Sequence, residues 1–420
     1  MGTSDAKPKA VDLFCGAGGA SMGLLQAGFE VVGAVDADES ALDVYSENLC
    51  GSNSLDFSGE VTFNEPLRAD LSRDYTGYDT ADSIPTVTFA DIRDHFGIET
   101  GEIDLICGCP PCQNFSALRD TDPWPDGEPK DELLRAFVEF VEEEVPPLVL
   151  FENVSNIVNA GDDVPTAYVD WLLRRMGEIN RDDSRRGGYG RELSVLNAAD
   201  YGVPQRRRRS IGAFVYGVDD DSVTLPDPTH ANPTIAATDR EDWVTVDERI
   251  NRDDLKEDLE LGHAQTGIDG FPDDPAHRSR RHHDSTVQMI QAIRKHGGSW
   301  KDLRGTDDED KIKDCHQDLS TGAASAYGIM AADEPAPTLT TRCTNVSSGR
   351  FTHPRENRAI TFREAALLMG FPESFSLPSI NEKAERVIGN AVPPQLIRAV
   401  ATTLVESFPS MLHAESKSAR

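Results

Sequence analysis

The stretch "AVDLFCGAGGASMGLLQAGFEVVGAVD", residues 10–36, joins two β-branched runs through a glycine-rich turn and a helical pattern. "VDLF" and "EVVGAVD" predict strands, and Met22, Leu25 and Phe29 have the spacing expected for the buried face of the helix between them. A strand, a turn, a helix and a second strand in this order are typical of a parallel βαβ unit.

The same alternation continues through the first half of the chain. Further strands are predicted for "TVTFADI", "IDLICG", "PLVLFENV" and "RRSIGAFVYG", and helices for "ESALDVYSENL", "DELLRAFVEFVEEEV" and "YVDWLLRRMGEI". From about residue 217 the alternation is lost, and clear helical patterns return only in "TFREAALLMGF" and after "GNAVPP". The pattern predicts an α/β protein with a doubly wound, mostly parallel sheet and a smaller inserted domain.

Composition limits the function classes. The 420 residues include 73 acidic and 41 basic side chains, which gives a net charge of −32. That charge argues against binding nucleic acid, because phosphate contacts need Lys and Arg. Either the protein has no anionic partner, or it works in concentrated salt. The acids are spread along the chain, as on a halophile's surface, and about 1 M salt would screen them beyond about 3 Å. With no long apolar run and no signal-peptide pattern, we expect a cytoplasmic protein without a membrane partner.

The glycine-rich turn predicts a ligand site. It has an FxGxGG pattern, formed by Phe14, Gly16, Gly18 and Gly19. Glycines let the backbone approach a ligand, and the pattern is closer to S-adenosylmethionine pockets than to the GxGxxG of dinucleotide sites. Asp36 ends the second strand, where an acid can bind ribose hydroxyls, and Asp91 ends the predicted "TVTFAD" strand, where it could reach an adenine amino group. The alternatives are a tight turn without a ligand and, for Asp91, a solvated loop acid.

Cys112 lies in "GCPPCQNFS", directly after the predicted strand "IDLICG". It could be a buried thiol, a ligand in a CxCxxC metal set with Cys107 and Cys109, or a nucleophile. The chain has no second cysteine pair at ligand spacing, so we expect no metal site. Glu152 leaves an apolar strand at the same predicted sheet edge, where burial would help it hold a proton.

Two arginines complete this set. Arg207 and Arg209 lie in "PQRRRRS". Their i and i+2 spacing would place both side chains on one face of the strand that follows.

The whole ordered set resembles the DNA cytosine-5 methyltransferase family over about residues 11–403. The matching blocks, in family order, are "DLFCGAGGASMGL", "GAVDADESA", "CPPCQNFS", "FENV", "QRRRR", "RAITFREAALLMGFP" and "GNAVPP". The resemblance implies a Rossmann-like fold that binds S-adenosylmethionine, with a smaller inserted target-recognition domain. It also implies that the substrate is double-stranded DNA with an extruded cytosine.

The resemblance implies a role for each site residue. Cys112 would add to C6 of cytosine and Glu152 would bind or protonate N3, while Arg209, with Arg207 behind it, would hold O2 and a nearby phosphate. Pro111, Asn390 and Val392 would join the glycine turn and the two aspartates in the cofactor pocket. We expect a monomer of restriction–modification or orphan type, from a halophilic archaeon, with a cognate restriction endonuclease as a possible partner.

The implied domain boundaries are approximate. We expect a flexible N-terminus over 1–10, a catalytic and cofactor-binding domain over 11–216, a target-recognition domain over 217–357, a return to the catalytic domain over 358–405, and a flexible tail over 406–420. Two other functions stay open, namely methylation of RNA cytosine and DNA binding without catalysis.

Two basic stretches are candidates for the DNA-facing surface. Residues 277–304 hold seven basic and two acidic side chains, and residues 342–363 hold five and one. Within the second stretch, Arg342 and Asn345 could read base edges or cap the loop. The first stretch also contains three histidines, His277, His282 and His283. We expect them to face DNA or solvent rather than to bind a metal.

Overall fold

The computed structural model describes residues 7–50, 64–71, 86–111, 132–158, 167–180, 187–234, 239–251, 260–264, 267–269, 274–277, 279–317, 325–378 and 382–412. Cys112 therefore lies outside the described residues. The chain divides into two compact units. The first comprises residues 1–197, 208–227 and 394–420, and the second comprises residues 198–207 and 228–393.

A seven-stranded sheet forms the centre of the first unit. Its strands are β1 (Lys9–Leu13), β2 (Glu30–Asp36), β3 (Leu67–Arg68), β4 (Leu105–Gly108), β5 (Leu148–Val154), β6 (Tyr189–Asn197) and β7 (Arg208–Tyr216). The order across the sheet is β3-β2-β1-β4-β5-β7-β6. Strands β1 to β5 pair in parallel, whereas β7 is antiparallel to both β5 and β6. The predicted α/β class with a mostly parallel, doubly wound sheet is confirmed.

Apart from α3, the helices of the first unit follow the predicted patterns closely. They are α1 (Gly19–Gln26), α2 (Glu39–Leu49), α3 (Phe89–Phe96), α4 (Glu132–Glu144), α5 (Ala167–Glu178) and, near the C-terminus, α11 (Pro394–Ser407). Helix α2 spans the predicted "ESALDVYSENL", and Asp38 caps it by accepting a hydrogen bond from Ser40 N. An aspartate at this position satisfies one of the free N–H groups of the first turn.

Apolar residues of the parallel strands and of the surrounding helices form one core. Ile106, Phe151 and Phe214 are fully buried in it, and Phe137 of α4 packs on the ring of Phe151. Strands buried on both faces read as continuous apolar runs, as "LICG" and "LVLF" do. This core fixes the carboxyl ends of β1, β2, β4 and β5, where the predicted site residues lie.

Two predictions of secondary structure are corrected. "TVTFADI" does not form a strand: Thr86 makes an isolated bridge with Asp70, and helix α3 begins at Phe89. The reason is local, because Thr88 and Asp91 form a reciprocal capping box that starts a helix. The sequence does not predict strand β6. Its segment "GRELS" is charged, so apolar and polar residues do not alternate as they do in most edge strands.

The ends of the chain also differ from expectation. Strand β1 begins at Lys9, inside the segment predicted to be flexible, and α11 continues to Ser407. No helix in the described ranges combines the length and the apolar character that crossing a bilayer requires.

The second unit is built from short elements and turns. Its strands are β8 (His230–Ala231), β9 (Glu241–Asp242), β10 (Glu260–Ala264) and β11 (Gly267–Asp269), and its helices are α6 (Val246–Ile250), α7 (Asp284–His296), α8 (Asp314–Gln317), α9 (Phe362–Leu368) and α10 (Glu382–Asn390). An apolar cluster around the fully buried Trp300 joins α7 to the segment 325–346. The ion pair of Arg358 and Glu364 is also buried.

The limits of these units are not those of the predicted domains. Residues 198–207 and 358–393 lie in the second unit, although the sequence assigned them to the catalytic domain, and residues 217–227 lie in the first. Compactness is a geometric property, so the boundaries between functional domains stay a prediction.

Candidate active site

The glycine-rich turn follows β1 at the carboxyl edge of the sheet. Phe14, Gly16 and Gly18 all have positive φ, at 61°, 53° and 88°, and α1 begins directly afterwards at Gly19. A β-carbon at Gly18 would lie 2.6 Å from Leu49 Cδ1, so that position needs glycine for packing. A β-carbon at Gly16 would meet no described atom within 4 Å. The turn therefore presents open backbone beside a helix N-terminus, which fits the polar end of a cofactor.

Asp36, at the end of β2, is tied to this turn. Its two carboxylate oxygens accept hydrogen bonds from Gly16 N, at 2.9 Å, and from Asp38 N, at 2.8 Å. Burial raises the pKa of Asp36, and these backbone hydrogen bonds oppose the rise. A carboxylate has about four acceptor positions, so Asp36 can still accept from ribose hydroxyls. Strands β1 and β2 thus bring Gly16 and Asp36 together, as the sequence predicts.

A series of buried side-chain hydrogen bonds connects the elements on either side of the turn. Asp12 of β1 accepts a hydrogen bond from Ser21 Oγ at 2.6 Å, and Ser21 accepts one from the Tyr45 hydroxyl at 3.0 Å. All three side chains are buried, and they join β1, α1 and α2. Burial raises the pKa of Asp12 to about 7. Sequence reasoning missed these hydrogen bonds, because Asp12 reads as one polar residue in an apolar strand.

The acid at the end of the third strand is corrected from Asp91 to Asp70. Asp91 lies in the first turn of α3, and its carboxylate accepts from the Thr88 amide, at 2.8 Å, and from the Thr88 hydroxyl, at 2.6 Å. These bonds lower the pKa of Asp91. Strand β3 instead comprises Leu67 and Arg68, and Arg68 pairs with Asp36, so Asp70 follows β3 two residues beyond that pair. The sequence "LRADL" does contain an acid after a possible strand, but the segment is too short to show the alternation of apolar and polar residues that predicts a strand.

The loop that leads to Cys112 begins at the end of β4. Cys109, Pro110 and Pro111 follow Gly108, and Asn153 of β5 donates a hydrogen bond from Nδ2 to the Pro110 carbonyl at 3.1 Å. Pro111 is exposed. The structure therefore fixes the start of the loop at the carboxyl edge, next to β5.

The two cysteines before Cys112 are held as thiols. Their shared hydrogen bond and burial hold the pKa of Cys109 well above its usual range, and the Cys107 side chain is fully buried. Thiolates are the form that binds zinc. Within the described residues, no three His, Cys, Asp or Glu side chains are grouped to hold a metal ion.

Glu152 and Arg209 form an ion pair on neighbouring strands. Arg209 Nε lies 2.9 Å from Glu152 Oε1, and both side chains are largely buried. The antiparallel register sets this contact: Val154 of β5 pairs with Arg209 of β7, so Glu152 lies diagonally opposite on the same face. The two predicted catalytic residues that lie in described strands are thus in direct contact, at the same edge as Pro111.

Arg207 directly precedes β7, which begins at Arg208. That Arg207 and Arg209 point to one face therefore stays a prediction. The buried Arg207 guanidinium lies in the second unit, where it donates to three backbone carbonyls, those of Leu339, Gly389 and Ala391, at 2.9–3.1 Å. Its predicted part in catalysis stays a prediction.

Asn390 and Val392 also belong to the second unit. Asn390 is exposed at the end of α10, and Val392 is buried just beyond it. The preceding Gly389 lies against another backbone, since a β-carbon there would come within 2.5 Å of Thr340 C and Thr341 N. Arg207 and this close approach fix the path of the "GNA" segment.

The histidines and the loop residues of the second unit take different places. His277 is fully buried, with Nδ1 3.0 Å from the Thr361 hydroxyl, so its predicted surface position is wrong. His282 is half-buried, and burial lowers its pKa to about 4, whereas His283 is exposed. Asn345 Oδ1 accepts from Ser347 N and Oγ, which is the capping role. Arg342 is exposed.

Known proteins resemble this chain over almost its whole length. The chain is 29% identical to the Type II methylase M.HgiDII of Herpetosiphon aurantiacus, over 97% of each chain. It is 26% identical to the Type II methyltransferase M.AgeI of Thalassovita gelatinovora, over 94% of this chain and 99% of that one.

Among solved structures, the fold is similar to that of a prophage DNA modification methyltransferase structure from E. coli, with a TM-score of 0.57 at 21% identity over 96% of this chain and 99% of that one. The S. pombe Dnmt2 methyltransferase has a TM-score of 0.52 at 18% identity, over 95% and 99% of the two chains. At these identities the likeness concerns the fold.

The model of the family described as C-5 cytosine-specific DNA methylase matches residues 9–64 and 78–406, which is most of the chain. The resemblance stated from the motifs and the predicted class of enzyme are both confirmed. On this match and on its relatives, the chain belongs to the C-5 cytosine-specific DNA methylase family.

Proposed function

We propose that this protein methylates C5 of a cytosine that has been extruded from double-stranded DNA, through a covalent bond from Cys112 to C6. The observation that carries the proposal is the Glu152–Arg209 pair, which lies at the same sheet edge as the loop leading to Cys112. The family match and the Type II relatives support DNA as the substrate.

The proposed chemistry assigns each group a bond or a proton. The Cys112 thiolate adds to C6, and Glu152 donates a proton or a hydrogen bond to N3, so that C5 becomes nucleophilic. Arg209 keeps the Glu152 carboxyl in place and offers its remaining N–H groups to the base oxygen O2. Once C5 carries the transferred methyl group, its proton is lost to water. Elimination of the thiolate and return of the N3 proton to Glu152 then restore the aromatic ring.

We propose that the turn at Phe14–Gly19 and the carboxylate of Asp36 hold S-adenosylmethionine, with Asp70 at its adenine end. When bound, this cofactor supplies the electrophilic methyl group. The open backbone at Gly16 and the free acceptor positions of Asp36 fit the polar groups of the cofactor. Pro111, Asn390 and Val392 are proposed as further lining residues.

The experiment that tests this function compares nucleic acids. The purified chain is incubated in molar potassium chloride with labelled S-adenosylmethionine and either duplex DNA or transfer RNA, and bisulfite sequencing locates the methyl groups. We expect label in DNA only, at cytosines within one short sequence. Label in RNA alone would favour the RNA alternative, and no label in either would favour the non-catalytic one.

A cell that encodes a cognate restriction endonuclease would need this activity to protect its own DNA. The Type II names of the relatives support that setting.

A further inference from the structure

The second unit contains one arginine whose side chain has no partner among the described residues, in a chain that is rich in acids. Its other described cations are engaged within the protein: for example, Arg206 contacts Glu334, Arg280 contacts Glu385, Arg355 contacts Asp247 and Arg363 contacts Asp274. Among the lysines and arginines of this unit whose side chains are described, Arg342 alone has a side chain that makes no hydrogen bond, ion pair or ring contact with another described residue. Its side chain is exposed.

The backbone just before Arg342 is fixed by hydrogen bonds to residues 205–207. Leu339 N donates to Gln205 Oε1 at 3.0 Å, and Leu339 O accepts from Arg207 Nη1 at 3.1 Å. Gln205 and Arg207 are both buried, so these bonds are shielded from water. One step earlier, the Thr338 hydroxyl donates to the Arg206 carbonyl at 2.7 Å.

The turn itself is also internally bonded. Cys343 N donates to Thr340 O, and Asn345 N donates to the carbonyl of Arg342, both at 3.1 Å. Cys343 and Thr344 are fully buried, and they anchor the turn directly after Arg342. Of the two residues that the sequence singles out in this turn, Asn345 uses its side-chain oxygen for capping, and this leaves Arg342.

From this arrangement we infer that Arg342 is a specificity-determining residue, which reads a guanine of the target site through the major groove. The inference rests on the proposed function. A phosphate contact needs only a positive charge, and a mobile lysine would serve. A guanidinium on a fixed turn can make the two parallel hydrogen bonds to guanine O6 and N7, which require a fixed register.

The test measures the recognition sequence of three variants. Wild type, Arg342→Gln and Arg342→Lys are given a library of random duplex DNA, and bisulfite sequencing yields the base preference at each position around the methylated cytosine. We expect both variants to lose preference at one guanine, with kcat/KM on the wild-type site lowered by about 5- to 150-fold. Arg342→Lys is expected to lose the preference as well, because lysine keeps the charge but lacks the planar guanidinium that makes two parallel hydrogen bonds.

Arg304→Gln is the matched control, since it removes the same charge from another exposed arginine of the unit. We expect it to change kcat/KM equally for all sequences. The inference is overturned if Arg342→Lys retains the wild-type preference, or if Arg342→Gln lowers methylation of every sequence alike, as a phosphate contact would. A wild-type chain that methylates no sequence overturns the proposed function as well, whereas an unchanged preference in the variants overturns this inference alone.

Discussion

Asp70 and Asp91 show how one residue's role depends on where a strand ends. Both precede an aliphatic residue, and the sequence alone favoured Asp91. The structure places Asp91 in a helix cap and Asp70 after β3, next to the end of β2 that carries Asp36.

Alanine variants separate the two aspartates. We expect Asp70→Ala to raise the KM for S-adenosylmethionine by about three- to tenfold, the value of one hydrogen bond, with little change in stability. Asp91→Ala should lower the free energy of unfolding through loss of the capping box, with an unchanged KM. Urea unfolding and cofactor titration measure both effects. The reverse pattern would return the cofactor role to Asp91.

Asp12 gives the fold a pH dependence of its own. Burial raises its pKa from 3.8 to about 7, and Asp36 adds a smaller repulsion. Between these two values the folded state binds the proton more tightly than the unfolded state does, so the stability that Asp12 contributes is present below pH 4 and is lost as the pH rises towards 7.

Asp12→Asn mimics the protonated acid at every pH. In fixed molar potassium chloride, we expect the melting temperature of this variant to exceed that of wild type at pH 8 and the difference to shrink towards pH 4. Thermal unfolding followed by circular dichroism between pH 4 and 8 measures it. A constant difference across that range would show that Asp12 is ionised throughout.

The packing of α1 against α11 depends on one small residue. A β-carbon at Gly23 would lie 2.5 Å from the Pro394 carbonyl and 2.9 Å from Arg398 N, both of which are backbone atoms. Neither can move without shifting α11. The glycine therefore permits a helix contact that holds the C-terminal helix on the first unit.

Gly23→Ala is expected to lower the free energy of unfolding by about 1–3 kcal/mol, the usual cost of overpacking. Gly177→Ala is the matched control: it also lies in a helix, but among the described residues its new β-carbon would meet only the end of the Arg191 side chain. Since alanine favours helix by about 1 kcal/mol over glycine, that control should be neutral or stabilising. Equal losses in both variants, in urea unfolding, would contradict this account of the contact.

Elements with a strong local signal were predictable and the others were not. The strand "EVVGAVD" and the helix "ESALDVYSENL" match their predicted limits, because periodicity and caps act within each segment. The β-branched residues of "TVTFADI" favour a strand, but the capping box of Thr88 and Asp91 starts a helix there instead. Strand β6 depends on pairing with β7, which periodicity within "YGRELSVLN" does not show.

Over the whole molecule, charge counted along the sequence differs from charge at the surface. The stretch 342–363 has five basic residues, but Arg358 is buried against Glu364, Arg363 binds Asp274 and Arg350 binds the Ile329 carbonyl. Most of the arginines predicted to face DNA in this stretch therefore bind groups within the unit. Such pairing needs partners from distant segments, so a local count cannot reveal it.

The site was predictable where a motif fixes both residue type and strand end. Glu152, Arg209, Gly16 and Asp36 lie where the ordered motifs placed them. The Arg207 contacts were not predictable, because its three carbonyl partners come from segments more than 130 residues away.

The measurement that bears most directly on the account is a covalent trap. Duplex DNA that carries 5-fluorocytosine at the methylated position is incubated with the chain and S-adenosylmethionine, and the complex is digested for mass spectrometry. Fluorine at C5 blocks the final elimination, so we expect a stable adduct on the Cys112 peptide in wild type and none in Cys112→Ala. Methylation of ordinary DNA without any adduct at Cys112 would contradict it.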